Sequence, residues 1–256
     1  MTVIQSIILG IVEGITEFLP ISSTGHLILT SKLLGIADSN FLKSFEIAIQ
    51  FGAILAVVVL YAKRVFSNKD LRKKVLVAFL PTAVIGFLFY KILKEFLLSS
   101  TFVVIWSLFL GGIVLIIFEY WYRKRPADAH VSEINYKKAF LIGIAQALAI
   151  VPGVSRAGAT IVGGLIMGIQ RQTIVEFSFL LAVPTMAAAT AYDLYKNAGS
   201  FTFNDFHVLA VGFVVSFFVA VLAIKWFLRF VQNHTFILFG VYRIIAALVF
   251  YILVLR

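Results

Sequence analysis

Glu13 and Glu17 stand four residues apart in an otherwise apolar segment, so a helix through them sets both carboxylates on one face. Two carboxylates converging on one point suit a hard divalent cation such as Mg²⁺ or Ca²⁺, which takes oxygen ligands. The segment runs on into Pro20-Ile21-Ser22-Ser23-Thr24-Gly25-His26. One of these hydroxyl residues is expected to cap a following helix, and the free amides at that helix start form an anion receptor. Ser23 and His26 fall within one turn of each other, where they can act as nucleophile and base. His26 can equally be the nucleophile, or the acid that protonates a leaving phosphate, and the residues alone leave these choices open.

A second segment copies the spacing of the first. One offset aligns Gly10 with Gly143, Ile11 with Ile144, Glu13 with Gln146, Ser22 with Ser155 and Gly25 with Gly158. Pro152 and Gly153 end one arm and permit a tight turn. Ser155 can cap the next helix. Arg156 presents a planar fork of donors matched to phosphate oxygens, Gly158 leaves room for close approach, and Thr160 adds a hydroxyl. Arg156 can also serve simply to neutralise Glu13 or Glu17, and the roles are compatible if a ligand replaces the ion pair. A cation site, an Arg fork, two helix starts and a Ser/His pair point to a phosphate-bearing ligand.

The rest of the chain says where this site lies. The composition is 61% apolar with 13% charged residues, and the mean hydropathy is +1.02. A chain of this kind is a polytopic membrane protein. A ligand met at membrane depth is then a lipid. The 26 Phe residues suit a lipid-facing surface. The absence of Cys excludes disulfides, thiolate metal sites and Cys nucleophiles. The net charge of +10 reads as positive-inside loops rather than a nucleic-acid surface. No Lys or Arg precedes the first apolar stretch, which itself carries Glu13 and Glu17, and this argues against a cleaved signal peptide.

Six apolar stretches, about 45–62, 75–93, 101–122, 174–195, 207–230 and 236–255, are long enough to cross a bilayer. Four shorter ones, about 2–19, 26–36, 138–151 and 159–169, form two pairs, each broken by a Pro/Gly/Ser segment. The 11–14 residues of most of these arms make about 16–21 Å of helix, short of a ~30 Å hydrocarbon core. Each pair is therefore expected to be a re-entrant helix–loop–helix hairpin, tolerated inside the membrane where protein or a water-filled cavity surrounds the break. The expected fold is all-α: six full spans and two re-entrant hairpins. The first repeat covers 1–125, with its hairpin at about 2–36, and the second covers 137–256, with its hairpin at about 138–169. A hairpin returns to its own side and three spans do not, so the repeats should have inverted topology with their tips meeting near the midplane.

Loop charges orient the chain. One side receives 14 Lys and Arg residues (Lys63 to Lys74, Arg123 to Arg125, Lys137, Lys138, Arg171, Lys225 and Arg229). The other receives 6: Lys32, Lys43, Lys91, Lys94, Lys196 and Arg256. The first side is expected to be cytoplasmic, which turns both termini outward. His26 is the one His of four expected deep in the membrane, since His130, His207 and His234 fall in loops or at helix ends.

At this point the chain resembles the undecaprenyl-pyrophosphate phosphatases of the bacitracin-resistance type. Glu13-Gly14-Ile15-Thr16-Glu17 is similar to their acidic E-x-x-x-E motif, and Pro152 through Thr160 is similar to their P-G-x-S-R-S-x-x-T motif. The resemblance extends over essentially the whole chain. It implies a bacterial inner-membrane enzyme that uses a divalent cation, Mg²⁺ or Ca²⁺, to convert undecaprenyl pyrophosphate to undecaprenyl phosphate, the lipid carrier of cell-wall synthesis. The site would open to the outer face. The resemblance carries the acidic pair onto Glu13 and Glu17, the catalytic Ser and His onto Ser23 and His26, and phosphate binding onto Ser155, Arg156 and Thr160. Ser22 and Gly153 join the binding set from the tip sequences. Ala157 stands where the family pattern has Ser and is given no polar role. The implied partners are the polyprenyl lipid and membrane lipid, with no nucleic acid and with a homodimer left open. On architecture alone, a lipid flippase or an ion-coupled secondary transporter is the alternative, and fold does not decide between them.

Overall fold

The computed structural model describes residues 1–92, 100–124, 133–197 and 206–254. Every regular element among them is helical. In chain order they are α1 (Val3–Thr16), α2 (Ser23–Leu33), α3 (Asn40–Ser67), α4 (Lys69–Ile92), α5 (Thr101–Tyr122), α6 (Tyr136–Ala147), α7 (Arg156–Ile166), α8 (Arg171–Asn197), α9 (Phe206–Asn233) and α10 (Ile237–Val254). A 3-10 turn, Leu148–Ile150, extends α6 toward the break. Residue 93 of the second expected span, residue 255 of the last, and Lys94, Arg125, His130 and Arg256 lie outside the described residues.

Among the described residues, four helices are long and apolar enough to cross a membrane: α3, α5, α8 and α9. Helix α4 starts in a run of basic residues, and the apolar part of α10, Ile237–Leu253, is shorter. Large apolar side chains such as Phe87, Phe102, Phe218 and Leu222 point outward, as they must where lipid is the solvent.

Lipid tails are as apolar as leucine, so burial alone does not bring these helices together; close packing and interhelical hydrogen bonds do. The contacts come in matched pairs. Helix α1 packs on α9 and α6 packs on α4; α3 packs on both α8 and α9, and α8 on both α3 and α4; α5 packs on α10. The aligned Gly10 and Gly143 do the same job at equivalent crossings. A Cβ on Gly10 would lie 2.8 Å from the Gly212 carbonyl oxygen, and one on Gly143 would lie 2.0 Å from that of Ala78. Buried hydroxyls seal these contacts: Ser6 Oγ donates to Val208 O at 2.7 Å, Thr82 Oγ1 to Gly143 O at 2.9 Å, and Ser216 Oγ to Ile49 O at 2.8 Å.

Charge separates the ends of the bundle. At one end Arg64 pairs with Glu176, and Lys74 with Asp70 at 2.6 Å, around a cavity of about 240 Å³ that also takes in Glu133. At the same end Arg171 pairs with the fully buried Glu119 at 2.5 Å, and Phe236 N donates to that carboxylate at 3.2 Å, pinning the start of α10. Elsewhere Lys32 bonds Thr101 Oγ1, tying α2 to the start of α5.

Gly143→Val should therefore lower stability in detergent by roughly 1–3 kcal/mol, the usual cost of overpacking. Gly86→Ala meets only Ile150 Cδ1 at 3.9 Å, an ordinary contact inside a helix, and should cost nothing. Thermal unfolding of the two purified variants checks the difference.

Candidate active site

The two breaks are built alike. Each second arm starts immediately after a Ser, and both of these, Ser22 with φ 71° and Ser155 with φ 76°, occupy the left-handed region. Such a backbone costs a non-glycine residue about 1–3 kcal/mol and persists only where its surroundings enforce it. Each Ser turns its hydroxyl back to accept the third amide of the new helix. Gly25 N donates to Ser22 Oγ at 3.4 Å and Gly158 N to Ser155 Oγ at 3.1 Å. The amides of the fourth residues, His26 and Ala159, bond the carbonyls of the same two serines. The first two amides of each helix, on Ser23 and Thr24 and on Arg156 and Ala157, have no carbonyl within the helix to bond. Two helix starts with free amides thus approach one place, each with the positive end of its dipole foremost.

That place is a cavity of about 250 Å³. Glu17, Ser22, Ser23 and Thr24 line it from the first tip, and Pro152, Gly153, Ser155 and Arg156 from the second. Gln50 of α3 and the apolar Met186 and Ala189 of α8 complete the wall. Gly153 has φ 91°, and a Cβ there would lie 2.7 Å from both Ser107 Cβ and Val104 O, so the tight turn and its seat on α5 both require glycine.

Glu17 joins the tips. Its Oε2 accepts the Ser23 hydroxyl at 2.5 Å, and its Oε1 accepts Arg156 Nη2 at 3.2 Å. Arg156 Nη1 donates to Ser178 O at 2.8 Å, while its buried Nε has no partner. Phe18, next in sequence to Glu17, is buried edge-on against Phe179 of α8 with ring centroids 5.2 Å apart.

Glu13 lies one turn back on α1. It is fully buried, and neither of its carboxylate oxygens has a hydrogen-bond donor. Its aligned counterpart, Gln146, is equally buried but donates to Thr82 Oγ1 at 2.8 Å and Thr185 Oγ1 at 3.1 Å. The duplicated scaffold therefore holds, in one arm, an amide that donates twice while its Oε1 is unpartnered and, in the other, a carboxylate with no donor to either oxygen. An unpartnered buried carboxylate next to Glu17 fits a divalent cation.

Three of the residues expected in the site lie around it rather than on the cavity wall: Glu13, His26 and Thr160. His26 does not hydrogen-bond Ser23. Its Nδ1 donates to Ser22 O at 2.8 Å, which leaves Nε2 of the neutral ring to accept from Tyr242 Oη, also at 2.8 Å. The two rings lie nearly parallel, 9° apart in tilt. Thr160 sits behind Arg156, bonding Arg156 O at 3.0 Å and Ser178 Oγ at 2.5 Å. Ala157 is buried in the hydrophobic core, as suits a residue without a polar role. Gln50, Ser178, Tyr242 and Arg243 were not singled out from the sequence. Gln50 and Arg243 were nevertheless marked there, as polar residues inside the stretches 45–62 and 236–255.

The positive φ and the cap make opposite demands at Ser155, which substitution separates. Ser155→Ala keeps the strain and loses the cap, and should cost about 1 kcal/mol; Ser155→Gly loses the cap and relieves the strain, and should cost only a few tenths. Unfolding midpoints of the two proteins in detergent give the comparison.

The family model described as bacitracin resistance protein BacA matches residues 6–249 of this chain. A Sulfurihydrogenibium protein named undecaprenyl-diphosphatase is 54% identical over 98% of this chain and 99% of its own length. Proteins of the same name from Aquifex aeolicus and Persephonella marina are 52% and 53% identical; the first is covered over 98% of each chain and the second over 100%.

Proposed function

The chain belongs to the BacA family of bacitracin resistance proteins, and from that membership and the cavity we infer an integral membrane phosphatase that hydrolyses undecaprenyl diphosphate to undecaprenyl phosphate and inorganic phosphate. The observation that carries this reading to particular residues is the doubly engaged carboxylate of Glu17, with a hydroxyl on one oxygen and a guanidinium on the other. A transporter on the same scaffold needs no hydroxyl aligned on a carboxylate, and relatives matched over their full length carry a hydrolase name.

In this mechanism the prenyl chain stays in lipid and the diphosphate enters between the tips. The terminal phosphoryl group takes the unpartnered Nε of Arg156 and the free amides of the two helix starts, where its charge is held in the transition state. Ser23 Oγ attacks the terminal phosphorus as its proton passes to Glu17 Oε2. The bond to the bridging oxygen breaks, and undecaprenyl phosphate leaves. Glu17 hands that proton to the departing phosphate, then takes a proton from water as the water oxygen attacks the Ser23 phosphate ester; the bond from phosphorus to Oγ breaks, and Glu17 returns the proton to Oγ as inorganic phosphate leaves. His26 holds the Ser22 carbonyl, and so the strained turn that aims Ser23; with both ring nitrogens engaged, this role suits it better than base or nucleophile. Thr160 and Ser178 brace Arg156 from behind. Ser155 and Gly153 shape the second tip.

Glu13 and Glu17 would hold the divalent cation. When bound it neutralises charge on the diphosphate.

The fold reading is six spans, α3, α4, α5, α8, α9 and α10, with α1–α2 and α6–α7 as re-entrant hairpins, in repeats 1–125 and 137–256 of inverted topology. The paired crossings and the equivalent roles of Gly10 and Gly143 support it. The charged end with Arg64, Lys74 and Arg171 is the cytoplasmic side of the bacterial inner membrane, so both termini and the mouth of the site face outward.

Phosphate release from purified protein in detergent tests the roles. Ser23→Ala and Glu17→Gln should each lower kcat at least about 100-fold, the scale of losing a nucleophile or its base. Near-native turnover in either removes that residue from the mechanism. Glu13→Gln should unfold at a higher temperature than the native chain without metal, because a buried carboxyl group with no donor is replaced by an amide that can donate, as Gln146 does in the aligned arm. Millimolar Mg²⁺ or Ca²⁺ should stabilise the native chain and not this variant. An equal metal response in both proteins places the cation elsewhere.

A further inference from the structure

Arg243 of α10 is among the most completely buried side chains in the molecule, 1% exposed, and among the described residues it forms no salt bridge. Its partners are all backbone carbonyls. Nε donates to Leu108 O at 3.3 Å; Nη1 donates to Pro20 O at 3.2 Å and Val154 O at 3.0 Å; Nη2 donates to Ser107 O at 2.9 Å and Gly153 O at 2.8 Å. A guanidinium has five N–H donors, and here five carbonyls take them. Three of those carbonyls lie in the breaks, Pro20 in the first tip and Gly153 and Val154 in the second. Non-helical carbonyls at membrane depth cost free energy unless they are satisfied.

The socket is cut for this side chain. A Cβ on Gly111 would lie 2.0 Å from Arg243 Nη2 and 2.7 Å from Cζ, so only glycine leaves the faces of Ser107 and Leu108 open to the guanidinium. The contrast with Arg156 is chemical: Arg156 keeps an unpartnered Nε beside the cavity, whereas Arg243 has no donor left for a ligand.

We propose that Arg243 is a positioning residue that locks the two tips together, fixing the register of Ser23 and Glu17 on one tip against Arg156 on the other. It bonds tip backbone a few residues from Ser23 on one side and two residues from Arg156 on the other, so loss of the clamp shifts attacking oxygen and phosphate fork relative to one another. A misplacement of about 1 Å is enough to lower a rate about 100-fold. The proposal rests on the phosphatase reading of the same cavity.

The test compares native protein, Arg243→Lys and Gly111→Ala, each corrected for its folded fraction by size-exclusion profile. Lys keeps the charge but has three donors for five carbonyls; Gly111→Ala keeps Arg243 but displaces it. Both should lower kcat for phosphate release by about 30- to 100-fold with KM changed less than about fivefold, and the double variant should be no slower than the worse single variant. A kcat per folded molecule within threefold of native in either variant, whatever its melting temperature, reduces Arg243 to a stability element and overturns the proposal. No phosphate release by the native chain would instead remove the phosphatase reading itself.

Discussion

A buried carboxylate is costly without partners, and Glu17 meets that constraint by bridging two parts of the chain that are 139 residues apart in sequence. Its ion pair with Arg156 and its hydrogen bond from Ser23 make each tip depend on the other. The rest of the structure follows from keeping this contact dry and aligned. Ser178 fixes the far side of the guanidinium, and the strained serines turn two helix starts toward it. Because the pair is made of groups that a phosphate and a cation can replace, it is also the part of the site that substrate is built to disturb.

The duplicated tips show how one scaffold carries two functions. Ser22 and Ser155 share the same φ, the same cap and the same free amides. The difference lies one helical arm away, where Glu13 has no partner and Gln146 has two hydroxyl acceptors. The amide is a structural filler between α6, α4 and α8. The carboxylate is a destabilising group at the equivalent place, retained where a cation would satisfy it. On the proposed reading chemistry sits on one copy and anion recognition on the other, while the close crossings at Gly10 and Gly143 remain alike in kind.

Much of this was legible in the sequence because it depends on local rules. Pro and Gly marked the breaks, and the offset alignment paired Ser22 with Ser155. The helix starts proved earlier than the apolar pattern suggested. Helix α2 begins at Ser23 and α7 at Arg156, so polar residues occupy first turns that hydropathy alone leaves out. What stayed hidden were contacts across the chain. Spacing put Ser23 and His26 on one turn but could not tell that Ser23 turns to Glu17 while His26 turns to Tyr242. Nor could it tell that Thr160 lies behind Arg156. Arg243 was visible as a lone cation in an apolar stretch, yet its five carbonyl partners come from three separate segments that only the packed bundle assembles.

The central claim is that both tips hold one ligand. It is tested most directly by amide hydrogen exchange of the purified protein with a non-hydrolysable, methylene-bridged polyprenyl diphosphonate and Mg²⁺. Residues 23–27 and 156–160 should become protected together, with the same midpoint in ligand concentration. Protection of one tip alone, or protection confined to the charged cavity around Arg64 and Lys74, would contradict the account.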